Sequence, residues 1–340
     1  MTRRKRINLA LQGGGAHGAF TWGVLDRLLD EEDVEVAAIS GTSAGALNGA
    51  AFKAGIVSGG REGARRYLDW LWDRVGQVQD LRMPAWMTGM PPLPEPFAHA
   101  IEHSLPFMVA ESVSRVISPY VYGPFYRNPL RGVVDEFEYD KVCDAHGPRF
   151  FVGATNVHNG KLRVFSGEEI GTDALLASAC LPTLFQAVEI DGAHYWDGGY
   201  TGNPALYPLF APDLPADIVI VNINPLERAD VPRSTQEIQN RINEISFNSS
   251  LLRELRAIRF VQRLLDQGAI AEGAMKRVHV HMIADDVLMG EMSVATKAVP
   301  TPRLLERLKE AGRVAAGTFL EAHKADLNRR GTSDLEAMFG

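Results

Sequence analysis

Cysteine is nearly missing from this chain: Cys143 and Cys180 are the only two in 340 residues. With no Cys-x-x-Cys pair, a disulfide scaffold and a thiolate metal site are both excluded, and a reducing compartment is favoured. Long hydrophobic runs are absent too. No segment approaches the ~20 apolar residues that a bilayer-spanning helix needs, and mean hydropathy is −0.09. The basic start Thr2-Arg3-Arg4-Lys5-Arg6 runs into Ile7-Asn8-Leu9-Ala10-Leu11-Gln12, which is too short and polar for a signal-peptide core. A cytoplasmic protein is expected. Basic charge is in deficit: Lys+Arg 35 against Asp+Glu 42 gives a net charge of −7, so no footprint for nucleic acid exists. There is no internal repeat and no low-complexity tract.

Glycine is what the chain has in excess. Eight of its 32 glycines fall between Gly13 and Gly49. Residues 7–11 read as a strand that stops at Gly13-Gly14-Gly15. Phe20, Val24, Leu25, Leu28 and Leu29 then recur with helical spacing. Val34–Ile39 is a second strand, followed at once by Gly41-Thr42-Ser43-Ala44-Gly45 and a small-residue helix. Strand–loop–helix repeated twice within 55 residues predicts an α/β fold with a mainly parallel sheet.

Further along, nine of the 19 prolines lie between Pro84 and Pro129, among Met and aromatic residues. That composition predicts an apolar cap over residues 80–130, suited to a hydrophobic acyl chain. Hairpins are expected at His158-Asn159-Gly160 and Asp191-Gly192, the second delivering Trp196-Asp197-Gly198-Gly199. Asp217–Ile223 and Val278–Ile283 read as strands, and Thr235–Leu265 and Arg303–Leu327 as helices. The first of these helices carries Arg241, Arg253, Arg256, Arg259 and Arg263 beside a leucine stripe. A basic face of that kind can rest on an anionic membrane, although packing on the domain or a partner is the more ordinary use.

Gly13-x-Gly15-x-x-Gly18 matches the dinucleotide fingerprint, which also needs an acid at the tip of the second strand. That strand ends in Ser40-Gly41, so a cofactor site is disfavoured. The competing use of such a loop is an oxyanion hole built from backbone N–H groups at a helix start. A tight turn with no ligand is the third reading.

Gly41-x-Ser43-x-Gly45 stands where a strand turns into a helix, the context that makes Ser43 a nucleophile candidate within reach of the Gly14 and Gly15 amides. None of the nine histidines has a triad context. Asp197, after a short strand and on a Gly-Gly turn, is the better base candidate, provided its surroundings raise its pKa. Asp197-Gly198 could equally be a plain turn dipeptide.

In this order, Gly13-Gly14-Gly15-Ala16-His17-Gly18, Gly41-Thr42-Ser43-Ala44-Gly45 and Asp197-Gly198-Gly199 resemble the motifs of the patatin-like phospholipase family. Ala177–Pro182 and Asn203-Pro204 support the resemblance, which spans roughly residues 7–210. It implies a three-layer α/β/α sandwich and a lipid acyl hydrolase. In the site it implies a Ser43–Asp197 dyad and an oxyanion hole from Gly13, Gly14 and Gly15, with Gly18, Gly41, Gly45, Gly198 and Gly199 supporting the motifs. One departure stands out: the family often carries Arg or Lys where His17 stands.

The expected layout is a catalytic domain over 1–230 and a mostly helical extension over 231–340 packed on it. No metal or organic cofactor is expected. The expected partner is a lipid or other hydrophobic ester, with peripheral membrane contact and homo-oligomer formation left open. A catalytically weak lipid-binding or regulatory protein, and a hydrolase of a storage polyester, are the alternatives.

Overall fold

The computed structural model describes residues 4–78, 118–228, 230–271, 273–292 and 294–340. Most of the expected apolar cap at 80–130 lies outside these residues. Eight strands form one sheet: β1 (Lys5–Leu11), β2 (Val34–Thr42), β3 (Arg149–Asn156), β4 (Leu162–Ser166), β5 (Val188–Ile190), β6 (Ala193–Asp197), β7 (Asp217–Val221) and β8 (His279–Ile283). Their order is β5-β6-β3-β2-β1-β7-β8, with β4 also paired to β3. The pairs β2–β3, β1–β2, β1–β7 and β7–β8 are parallel, whereas β3–β4, β3–β6 and β5–β6 are antiparallel. Both predicted hairpins are therefore present. The second turns at Asp191 (φ 51°) and Gly192 (φ 76°), the left-handed pair that a tight hairpin requires.

Helices cover both faces of the sheet. Four are long, α1 (Gly18–Leu28), α2 (Ala44–Gln77), α4 (Thr235–Asp266) and α6 (Pro302–His323), and two short ones, α3 (Thr172–Ser178) and α5 (Val294–Ala298), lie near the site. The strands sort their side chains by alternation. Ile7, Leu9 and Leu11 of β1 and Val219 and Val221 of β7 pack with α1, α2 and α6. Ala10, Ile218 and Ile220 pack on the other face against Leu251, Leu255 and Ile258 of α4. Each fully buried aliphatic side chain contributes about 1.5–3 kcal/mol relative to exposure. The result is the three-layer α/β/α sandwich that the motifs implied.

Residues beyond 230 complete these layers. They supply β8, the α4 layer and α6, which crosses α1 so closely that a Cβ on Gly23 would strike the Lys309 carbonyl. Buried Asp26 of α1 takes Arg313 of α6 and Arg65 of α2 together. Helix α4 opens on a capping box, in which Glu237 N donates to Ser234 Oγ (3.2 Å) and Ser234 N to Glu237 Oε2 (3.0 Å).

Two of the five arginines expected on the basic face of α4 are engaged within the chain, and Arg253, Arg256 and Arg263 are exposed. Arg241 donates to Glu244 and to the carbonyls of Pro225 and Leu226, and Arg259 pairs with Glu336. Among the described residues no helix is long and apolar enough to cross a membrane.

Candidate active site

Parallel strands β1 and β2 both end at the same edge of the sheet, the edge where open α/β sheets build sites. Beyond β2, Ser43 adopts φ 54°, ψ −124°, left-handed backbone that a non-glycine residue occupies only under constraint. Its neighbours supply that constraint. Ser43 N donates to Ser178 Oγ (2.9 Å), and Ser178 Oγ donates in turn to the Gly153 carbonyl (2.7 Å). Thr42 Oγ1 donates to the Gly202 carbonyl (2.6 Å). Gly45 is required in the first turn of α2, because a Cβ there would collide with the Leu11 carbonyl. Ser43 thus sits at the N-terminus of α2, 7% exposed.

Asp197 closes β6 from the other side. Strand β3 bridges the two residues, pairing Thr42 with Gly153 and Asp197 with Ala154. The Asp197 backbone is fixed by its N–H to the Cys180 carbonyl (2.8 Å) and by Thr155 Oγ1 on its own carbonyl (2.8 Å). Its carboxyl is 1% exposed. Oδ1 accepts the Gly199 N–H at 2.7 Å, and buried Oδ2 has no hydrogen-bond partner. Burial pushes the Asp197 pKa up to about 7, against the lowering pull of the Gly199 N–H and the Ser43 hydroxyl. The Ser43 hydroxyl thus lies near the carboxyl, with no hydrogen bond formed to Oδ2. Phe247 of α4 packs over Gly199, leaving no room for a Cβ there, and meets the Tyr200 ring at a tilt, centroids 5.1 Å apart.

The glycine loop after β1 faces this pair. A Cβ on Gly13 would stand 2.7 Å from Ser43 Cβ, so only glycine lets the loop approach the elbow. The Gly13 N–H, expected among the oxyanion donors, is instead engaged by Asn203 Oδ1 at 2.7 Å. Gly15 has φ +59° and is pressed against the Lys297 carbonyl of α5. His17, which begins α1, is 2% exposed and holds Thr296 Oγ1 at 2.7 Å through Nε2. Burial, with help from the Lys297 charge, depresses its pKa well below the usual histidine range, so the ring is neutral. His17 therefore contributes no cation to the loop near pH 7.

A buried amide network anchors the loop from behind. Gln12 Oε1 accepts the N–H groups of Ile223 and Asn224 (2.9 and 3.1 Å), and Gln12 Nε2 donates to Asn248 Oδ1 (3.2 Å). Asn224 Nδ2 donates to the Gly13 carbonyl at 2.9 Å. Among the described residues no group of three or more His, Cys, Asp or Glu is placed to hold a metal ion.

A family model, patatin-like phospholipase, matches residues 9–210 of this chain. The chain belongs to the patatin-like phospholipase family. At family level it is a lipid acyl hydrolase. Among solved structures it is similar to VipD from Legionella pneumophila, with 14% identity, 94% of this chain and 67% of that chain covered, and a TM-score of 0.43. No curated protein matches.

Ser43, Asp197 and the glycine loops all lie inside the patatin-like segment. Ser178 and Asn203 lie there too, and only the fold reveals what they hold. Asn224, Phe247, Asn248 and Lys297 lie outside it. No local pattern marks them, because their contacts with the loop and the Asp197 turn span 48 to more than 200 residues of chain.

Proposed function

We propose that this patatin-like protein is a serine esterase of hydrophobic acyl esters working through a Ser43–Asp197 dyad. The observation that carries the reading is the Asp197 carboxyl: buried, raised in pKa, and holding one oxygen unpartnered beside a strained serine. A buried carboxylate with a raised pKa and lone pairs open beside the serine is suited to take its proton.

In this reading Asp197 takes the Ser43 Oγ proton as Oγ attacks the ester carbonyl carbon. The amides of Gly14 and Gly15 hold the resulting oxyanion, and Gly13, with its N–H engaged, shapes the loop. Collapse of the tetrahedral intermediate expels the alcohol, which leaves with the proton from Asp197. A water then gives its proton to Asp197 and attacks the acyl–Ser43 carbonyl, and the returning proton frees Ser43 and the carboxylic acid. The apolar composition of residues 80–130 favours a long acyl chain in the ester.

A fluorophosphonate probe tests the nucleophile. Wild type is expected to label at Ser43 in an intact-mass or peptide digest. Ser43→Ala should stay unlabelled and lose p-nitrophenyl ester hydrolysis by about 10⁴-fold or more. A wild-type chain that never labels would point instead to a lipid-binding protein on this scaffold.

A further inference from the structure

Lys297 is a charged group with no role in the chemistry above. It stands on α5, outside the patatin-like segment, against the back of the glycine loop. Among the described residues, the one hydrogen bond its ammonium donates goes to a neutral acceptor, Asn224 Oδ1, at 2.7 Å. No carboxylate lies within ion-pair distance of it among those residues; Glu244 raises and Arg228 lowers its pKa from farther away. A desolvated cation without an ion-pair partner is costly to hold.

From it one line of donors leads to the glycine loop, with a side branch from Asn224 Nδ2 to Gln12 Oε1 (3.1 Å). Lys297 donates to Asn224 Oδ1, and the same amide donates through Nδ2 to the Gly13 carbonyl (2.9 Å). That carbonyl belongs to the peptide whose N–H is that of Gly14. We infer that Lys297 is a positioning residue for ester hydrolysis: through Asn224 it polarises the Gly13–Gly14 peptide and strengthens the Gly14 N–H as an oxyanion donor. The inference rests on the Ser43–Asp197 reading.

The physical basis is cooperative polarisation. A hydrogen bond accepted at a peptide oxygen makes the N–H of that peptide a stronger donor, and a positive charge at the head of the chain adds to the effect. The oxyanion forms only in the transition state, so the gain appears in the rate and not in ground-state binding. The neutral imidazole of His17 cannot supply this charge, and Arg228 is committed to Glu244. Desolvation brings Lys297 down to about 8, so it stays mostly protonated at neutral pH and discharges under mild alkali. The groups that face it are His17 on the turn before α1, Glu244 on α4 and Arg228 on the loop after β7.

Lys297→Met in the full chain, assayed with p-nitrophenyl butyrate, separates a polarising role from a structural one. We expect kcat to fall roughly tenfold with KM within about twofold. The melting temperature should hold or rise, because a half-buried cation with no carboxylate partner among the described residues is replaced by an apolar chain of similar length. Lys297→Arg should recover most of the loss. In wild type the kcat profile should carry an alkaline limb with its midpoint near pH 8, which Lys297→Met removes.

Unchanged kcat in Lys297→Met overturns the inference, and so does a Lys297→Met chain that no longer folds, since the lysine would then be structural. Failure of the dyad reading looks different: wild type itself would show neither fluorophosphonate labelling nor turnover.

Discussion

Asp197 and Asp217 are two aspartates in one sheet, each 1% exposed, and their surroundings are opposite. Asp197 ends β6 at the site edge and keeps Oδ2 without a partner. Asp217 begins β7 at the far end. Its Oδ1 holds His281 Nε2 (3.0 Å) and accepts the Asn328 N–H (2.7 Å), and its Oδ2 accepts Asn328 Nδ2 (3.1 Å). His279 Nδ1 lies 3.4 Å from Oδ2, without hydrogen-bond geometry.

Burial acts to raise both carboxyls. At Asp197 it prevails and the pKa reaches about 7. At Asp217 the bonds from His281 and Asn328, with His279 close by, prevail and hold the carboxyl far below the usual carboxylate range. Saturation with donors makes an aspartate a clasp, here fastening the C-terminal Asn328 segment to β7. Withholding one donor leaves an aspartate able to take a proton. The two differ in how many donors the fold supplies.

Exchanging each for its amide should split activity from stability. Asp197→Asn should cost about 10²–10⁴ in kcat, the usual worth of a general base, with the melting temperature unchanged or higher. Asp217→Asn should destabilise by about 2–3 kcal/mol in denaturant unfolding, because His281 and Asn328 lose a charged acceptor, with kcat of the folded fraction retained. A stability loss at 197 or an activity loss at 217 would break the contrast.

Their pH signatures should also oppose. Asp197 keeps its proton in the fold to higher pH than in the unfolded chain, so its contribution to stability falls as pH rises from about 4 to about 7. Over that same window activity should rise as the base ionises, with a midpoint near 7. The Asp217 contribution is fully present above the unfolded value near 4 and is lost as pH falls below it. Chemical unfolding across pH 3–8, with Asp217→Asn as the control, checks both signs.

The smallest effect belongs to the outer partner of the clasp. Thr332 Oγ1 lies 3.0 Å from His281 Nδ1. Thr332→Val should cost about 1 kcal/mol by denaturant unfolding and leave turnover untouched.

Much of the site was legible before the fold was known, because it is built from backbone. Oxyanion loops, strand–helix elbows and tight turns need glycine at set spacings, so Gly13–Gly15, Gly41, Gly45, Gly198 and Gly199 announce themselves. Alternation placed β1 and apolar runs placed β2 and β7, and both hairpin turns were readable from Asn-Gly and Asp-Gly. The engaged Gly13 amide was not readable, since it depends on Asn203, 190 residues away. Nor could helical spacing tell that Arg241 turns inward to Glu244 and two carbonyls.

The sequence by itself determined where the chain can turn, which residues are candidates for nucleophile and base, and the family to which the chain belongs. Those properties follow from local sterics and residue chemistry. Only the tertiary structure decided which aspartate keeps a free oxygen, which loop amide is already engaged, and that a lysine from residue 297 stands behind the glycine loop. Those properties depend on burial and on partners supplied by distant segments, which no window of sequence contains.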